Sequence, residues 1–141
     1  MLGLCRLRNI KPILILAPSH ADRLETFAAL GLWPAIETIK RGLASLGDEA
    51  EVWDFMGYDP QTTEAVPRRG DFAGQVQWFW EPAHFKRALG DLILRRIFGE
   101  PGDFGVLLTP VTIDARLAHV RAAQEAYRTM YPTMRKRLAQ E

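Results

Sequence analysis

The chain is poor in cysteine and in serine, and both shortages limit its chemistry. Cys5 is the only cysteine in 141 residues, so no internal disulfide can form. A thiol becomes a nucleophile only with a nearby base and a lowered pKa. Nothing local in the sequence suggests either, and Cys5 reads as structural or incidental. Ser19 and Ser45 are the only serines, which leaves few places for a serine nucleophile. Long apolar runs are missing as well. Residues 2–16 are interrupted by Arg6, Arg8, Asn9, Lys11 and Pro12, and residues 13–17 are too short for a signal-peptide core. Neither a membrane span nor an export signal is expected in this chain. An excess of one charge is also lacking. The net charge is +1, which gives no general case for a nucleic-acid partner, and the basic residues at the two ends read as solvated termini. No His/Cys/Asp/Glu group has metal-ligand spacing, and Gly99, Gly102 and Gly105 do not form a phosphate-binding loop, so neither metal nor cofactor is expected.

What is present describes one ordinary globular domain, with enough residues for a single core. Residues 13–17 are apolar without alternation and end at Pro18, which predicts a strand buried on both faces, as in parallel sheets. Residues 22–30 predict a helix that Gly31 and Pro34 interrupt. Ile36, Ile39, Leu43 and Leu46 then share one helical face, with Gly47 as a stop. Residues 51–55 predict a second strand, and strand–helix–strand order implies a right-handed parallel crossover. Residues 56–74, rich in glycine and proline, are expected to be a long loop, of a length usually kept for function or left disordered. Glu81, Pro82, Ala83 and His84 are expected to open a helix, with Pro82 in its first turn and Phe85, Leu89, Leu92, Ile93 and Ile97 on its apolar face. Residues 104–108 read as an edge strand or an extended connector. Thr109, Pro110 and Thr112 announce a last helix. Its stripe of Ile113, Leu117, Val120, Gln124, Tyr127, Tyr131, Met134 and Leu138 has heptad spacing with one polar break, and Pro132 should kink or end it.

Two firm strands are fewer than the roughly five or six usual in a sheet. The expectation is therefore a portion of an α/β domain, or a domain that completes its sheet with a partner chain or a second copy. The division expected is an N-terminal segment (1–11), an α/β portion (12–110) and a C-terminal helix (111–141). That helix either packs on its own domain or docks a partner.

Chemistry concentrates at Glu81 and His84. A carboxylate three residues from an imidazole can fix its tautomer and stabilise the imidazolium formed when it takes a proton. A helix start at this point would favour the neutral ring that a general base needs. The plainer alternative is a capping glutamate beside an exposed histidine. The stretch Trp78-Phe-Trp-Glu-Pro-Ala-His-Phe-Lys-Arg-Ala-Leu-Gly90 resembles the last conserved block of SGNH (GDSL-like) hydrolases and acyltransferases, which carries Asp-x-x-His. It is similar in particular to relatives that act on cell-surface polymers, the alginate O-acetylation proteins and the D-alanyl transfer protein of teichoic acids. Trp53-Asp-Phe-Met-Gly-Tyr58 and Thr62-Thr-Glu-Ala-Val-Pro67 look like further segments of such proteins, and the resemblance covers residues 12–110.

The resemblance implies a flavodoxin-like, SGNH-type three-layer parallel sheet with flanking helices, here only in part. It implies His84 as the base and Glu81 as its orienting acid, with Glu standing where the family has Asp. It implies an acyl ester as substrate, that of a small molecule or a glycan, an acyl-enzyme on serine, and a periplasmic or cell-envelope setting for a full-length relative. The family's Gly-Asp-Ser-like nucleophile block has no counterpart here, so the chain alone is expected to be inactive or nearly so. Ser19 follows the first strand, where α/β proteins place ligands. It is a helix N-cap by the plainer reading, with His20 lining the crevice or exposed. Asp54, at the end of the second strand, either binds substrate or caps the loop. Trp78 and Trp80 either stack on a sugar or acyl group or pack the loop. Asp59, Thr62, Thr63 and Glu64 lie in the long loop and could meet a polar substrate, whereas His119 and Ser45 read as surface residues.

Overall fold

Among the described residues, a three-stranded sheet, a two-stranded hairpin and five α-helices position the site. In the computed structural model, which describes residues 2–67, 74 and 76–132, α1 (Leu2–Leu7) leads into β1 (Ile13–Leu16), α2 (Ala21–Ala29), α3 (Trp33–Ala44) and β2 (Glu51–Asp54). A hairpin of β3 (Phe79–Glu81) and β4 (His84–Phe85) precedes α4 (Arg87–Ile97), β5 (Val106–Leu107) and α5 (Ile113–Met130). The class is mixed helix and sheet. The sheet order is β1-β2-β5, with β1 parallel and β5 antiparallel to β2. Residues 104–108 thus contribute an edge strand of two residues.

Alternation along β2 sends its side chains to two different cores. Val52, with Leu14 and Leu16 of β1, packs with Ala44 of α3 and with Ile113 and Leu117 of α5. Trp53, on the opposite face, packs with Phe55, Phe104 and the Leu89 and Ile93 of α4. A third cluster joins Leu24 of α2 to Tyr58 and to Val120 and Tyr127 of α5. β2 is therefore covered on both faces, and β1 is not. Ile13 and Ile15 are each 43% exposed, against the expectation of burial on both faces. Ile15 lies beside Trp53 in register, but the α4 cluster reaches β2 and stops short of β1.

Other expectations need correction. The buried side of α3 carries Lys40 and Ala44, while Ile39 is exposed. Apolar periodicity does not foresee a helix turned to bring a lysine inward. The N-cap of α2 is His20, whose ring accepts the Asp22 amide, and not Ser19. Residues 81–84 open no helix. Glu81 ends β3, Pro82 and Ala83 make the hairpin turn, His84 starts β4, and α4 begins at Arg87. Proline fits a turn as well as a first helical position, and the Lys86 amide bond to the Trp78 carbonyl (2.7 Å) closes the hairpin.

The stripe on α5 packs on its own chain. Ile113, Leu117, Val120, Gln124 and Tyr127 are buried, and Tyr131 packs against the same cluster. The helix ends at Met130, ahead of Pro132. Met134 and Leu138 lie outside the described residues. No helix among those described is long and apolar enough to cross a membrane.

Candidate functional site

Pro18 ends β1, and the chain then makes two backbone bonds that gather the site. The His20 amide donates to the Pro82 carbonyl (3.0 Å), and the Ala21 amide to that of Thr62 (2.8 Å). The loop after β2 and the β3–β4 hairpin are thus both tied to the carboxyl end of β1. His20 is buried, with its ring edge-on to Phe79. Its Nε2 lies 2.9 Å from the Glu64 carbonyl oxygen and its Nδ1 accepts the Asp22 amide at 3.2 Å. A carbonyl only accepts and an amide only donates, so the ring is the neutral Nε2–H tautomer. Both nitrogens are occupied, which leaves His20 only its ring carbons to line a crevice.

Glu64 reinforces the junction. Its carboxylate accepts the amides of Gln77 (2.6 Å), Trp78 (2.9 Å) and Phe79 (2.9 Å). One residue therefore holds the His20 ring with its carbonyl and the start of the hairpin with its side chain.

Glu81 and His84 face each other across that hairpin as register partners. Glu81 Oε2 accepts the Ala83 amide (2.9 Å), and Oε1 pairs with His84 Nδ1. The Ala83 amide first, and the His84 contact second, hold the Glu81 carboxyl below its usual range. A carboxylate at Nδ1 selects the Nδ1–H tautomer and leaves the Nε2 lone pair outward, the arrangement of an oriented base. Nε2 has no partner among the described residues, and the His84 side chain is 81% exposed. Trp80 stands beside the pair, 74% exposed, with Lys86 Nζ 4.7 Å from the centre of its ring. A small cavity of about 50 Å³ between His20, Phe79, Trp80 and Glu81 joins the end of β1 to the hairpin.

The remaining candidates lie elsewhere or are used internally. Ser19 is buried beside His20, and the Ser45 hydroxyl donates to the Gly42 carbonyl at the end of α3. Trp78 packs against the α4 cluster. Thr62 and Thr63 bond back onto the loop at Gly57 and Asp59. Asp54 is fully buried, and its carboxylate meets Lys40 Nζ (2.7 Å) and Arg116 Nε (2.9 Å), so it supports the fold and faces no crevice. Sequence reasoning missed Lys40, Arg116 and the anchoring role of Glu64. Lys40 carries no signal in the apolar stripe, because the partner that holds it inward is Asp54 on a separate strand. Glu64 carries none, because its partners are backbone amides.

Among the described residues no group of three or more His, Cys, Asp or Glu side chains could hold a metal ion. Comparison of the chain with family models, with curated proteins and with solved structures finds no match.

Proposed function

We propose that this chain is the acid–histidine portion of an SGNH-like serine esterase or O-acyltransferase, acting on acyl esters such as those of cell-surface glycans. His84 is the general base, Glu81 its orienting acid, and Trp80 a platform for the acyl or sugar group. The observation that carries the reading is the Glu81 carboxylate on His84 Nδ1 with Nε2 left open. Neither serine of the chain suits the nucleophile's role, Ser19 being buried and Ser45 bonded within its helix. The serine would come from outside these residues, and the surface bringing it would cover a pair that now stands in water, where a base gains little from its surroundings.

The same piece would extend the sheet. Among the described residues β1 pairs with β2 alone, and Ile13 and Ile15 turn apolar side chains outward. A flavodoxin-like parallel sheet continuing past β1 would bury both. The second reading, a non-catalytic module that completes its sheet with a partner chain, rests on this edge and not on His84.

The test is ester hydrolysis and serine labelling by a fluorophosphonate, on this chain and on the product of the coding sequence extended upstream in frame. The expected result is no His84-dependent hydrolysis by the chain alone. The longer product should hydrolyse esters and lose that activity in His84→Ala, with a smaller loss in Glu81→Gln. Activity of the chain alone that vanishes in His84→Ala would overturn the external nucleophile. A longer product that is inactive, or indifferent to His84→Ala, would leave the module reading.

A further inference from the structure

A second cavity, of about 530 Å³, opens where the loop after β2 meets α4 and α5, and it shares no lining residue with the cavity beside His20. Its size is that of a small-molecule site. Three of its lining side chains hold buried polar atoms with no hydrogen-bond partner among the described residues: Asp59 Oδ2, Gln61 Oε1 and Arg96 Nε. Buried polar atoms are rarely left so, and each calls for a ligand or water. Asp59 is 7% exposed, and Arg116 Nη2 stands 3.6 Å from Oδ2, within ion-pair reach but beyond a hydrogen bond.

We propose that this cavity binds a small zwitterion of the α-amino-acid kind, its ammonium against Asp59 and Gln61 and its carboxylate against Arg96 and Arg95. The lining carries both signs. Asp59, Glu100 and Asp103 stand against Arg95 and Arg96 in one enclosure, so neither a simple anion nor a simple cation is complementary to the whole of it. Asp59 Oδ2, with Arg116 only at ion-pair range, and Gln61 Oε1 lack a hydrogen-bond donor among the described residues, and a group with several N–H donors, as an ammonium has, would serve both. The Arg96 guanidinium lies over the Trp53 ring with its Nε–H unbonded, and an anionic acceptor would complete it, charge-assisted bonds of this type being the strong ones. Leu92, Phe104 and Ala123 supply apolar wall for a side chain. The site is independent of Glu81 and His84, so it would stand or fall apart from the esterase reading.

The test uses the full chain and both enantiomers of phenylalanine, followed by saturation-transfer NMR and calorimetry. Phenethylamine and 3-phenylpropionate serve as the one-charge analogues. At least one enantiomer should bind, and each analogue should bind about tenfold more weakly or worse, the loss expected when a charge-assisted hydrogen bond is removed. Asp59→Asn, which keeps the shape and removes the charge, should weaken phenylalanine by a similar factor. Ala123→Trp fills the cavity from α5 while leaving Asp59 unchanged in sequence and should abolish binding. It decides the matter if Asp59→Asn does not fold. Failure of both enantiomers to bind, equal binding of the analogues, or binding that survives Ala123→Trp in a folded variant would overturn the proposal.

Discussion

Lys40 of α3 and Asp54 of β2 meet in the interior at 2.7 Å, both with almost no exposed surface. Arg116 of α5 bonds the same Asp54 oxygen at 2.9 Å and reaches Asp59, so two cations and two carboxylates join the sheet to two helices. Burial lowers the Lys40 pKa, and Asp54 opposes that by favouring the ammonium. The two partners are unequal. Without Asp54, two buried cations face Asp59 alone; without Lys40, Asp54 keeps Arg116. We predict that Asp54→Ala destabilises by about 3–5 kcal/mol, as breaking a buried pair does. Lys40→Met, which keeps the stem, should cost about 1.5–3 kcal/mol, the range for a hydrogen bond to a charged group. Urea denaturation of both variants checks this, and a larger loss for Lys40→Met would reverse the account.

Asp59 gives a prediction in pH. Burial raises its pKa, and the Arg116 guanidinium opposes the rise without cancelling it. A carboxyl raised by folding binds its proton more tightly in the folded chain than in the unfolded one. Its contribution is therefore fully present below the unfolded value of about 3.9 and is lost as pH rises through the folded value. Asp59→Asn cannot ionise and removes that loss. The stability of the variant relative to the parent should accordingly rise between about pH 3 and neutrality. Urea midpoints measured across that range test it, and a relative stability that falls with pH would mean that Arg116 outweighs burial.

Much of the frame was legible in the sequence because it follows from short-range pattern. β1, β2 and the helices between them lie where apolar runs, Pro18 and Pro34 place them, and α5 begins after Thr112 as its start signals imply. Its one polar stripe residue, Gln124, is buried because its amide donates to Glu25 and to the Tyr58 hydroxyl at 2.9 Å each. That reason lies far away in sequence. The same holds for the turn of α3 that carries Lys40 inward. At the site, the Glu81–His84 pair could be read from spacing, but its support could not. Acid-x-x-His fits a helix start and a tight hairpin equally, and the choice is made by the Lys86–Trp78 backbone bond and by Glu64. The exposure of Ile13 and Ile15 was illegible because a continuous apolar run does not say which neighbour covers it.

Glu64 should matter more to the site than its place in a loop implies. Its carboxylate accepts three consecutive amides, and its carbonyl takes the His20 ring. Glu64→Gln keeps one acceptor oxygen and replaces the other with a donor that would face amide N–H groups. The hairpin should then loosen at its first strand while the clusters on α5 stay packed. We predict a global loss of about 1.5–3 kcal/mol, the range for hydrogen bonds to a charged group. Hydrogen exchange at the Gln77, Trp78 and Phe79 amides should speed up by more than that loss alone explains, because local opening adds to global unfolding. Amides inside α5 should change only by the global amount. Uniform acceleration across the chain would make Glu64 an ordinary stabilising residue, whereas an added acceleration at the hairpin amides, above the global amount, would identify it as the brace that sets where Glu81 and His84 stand.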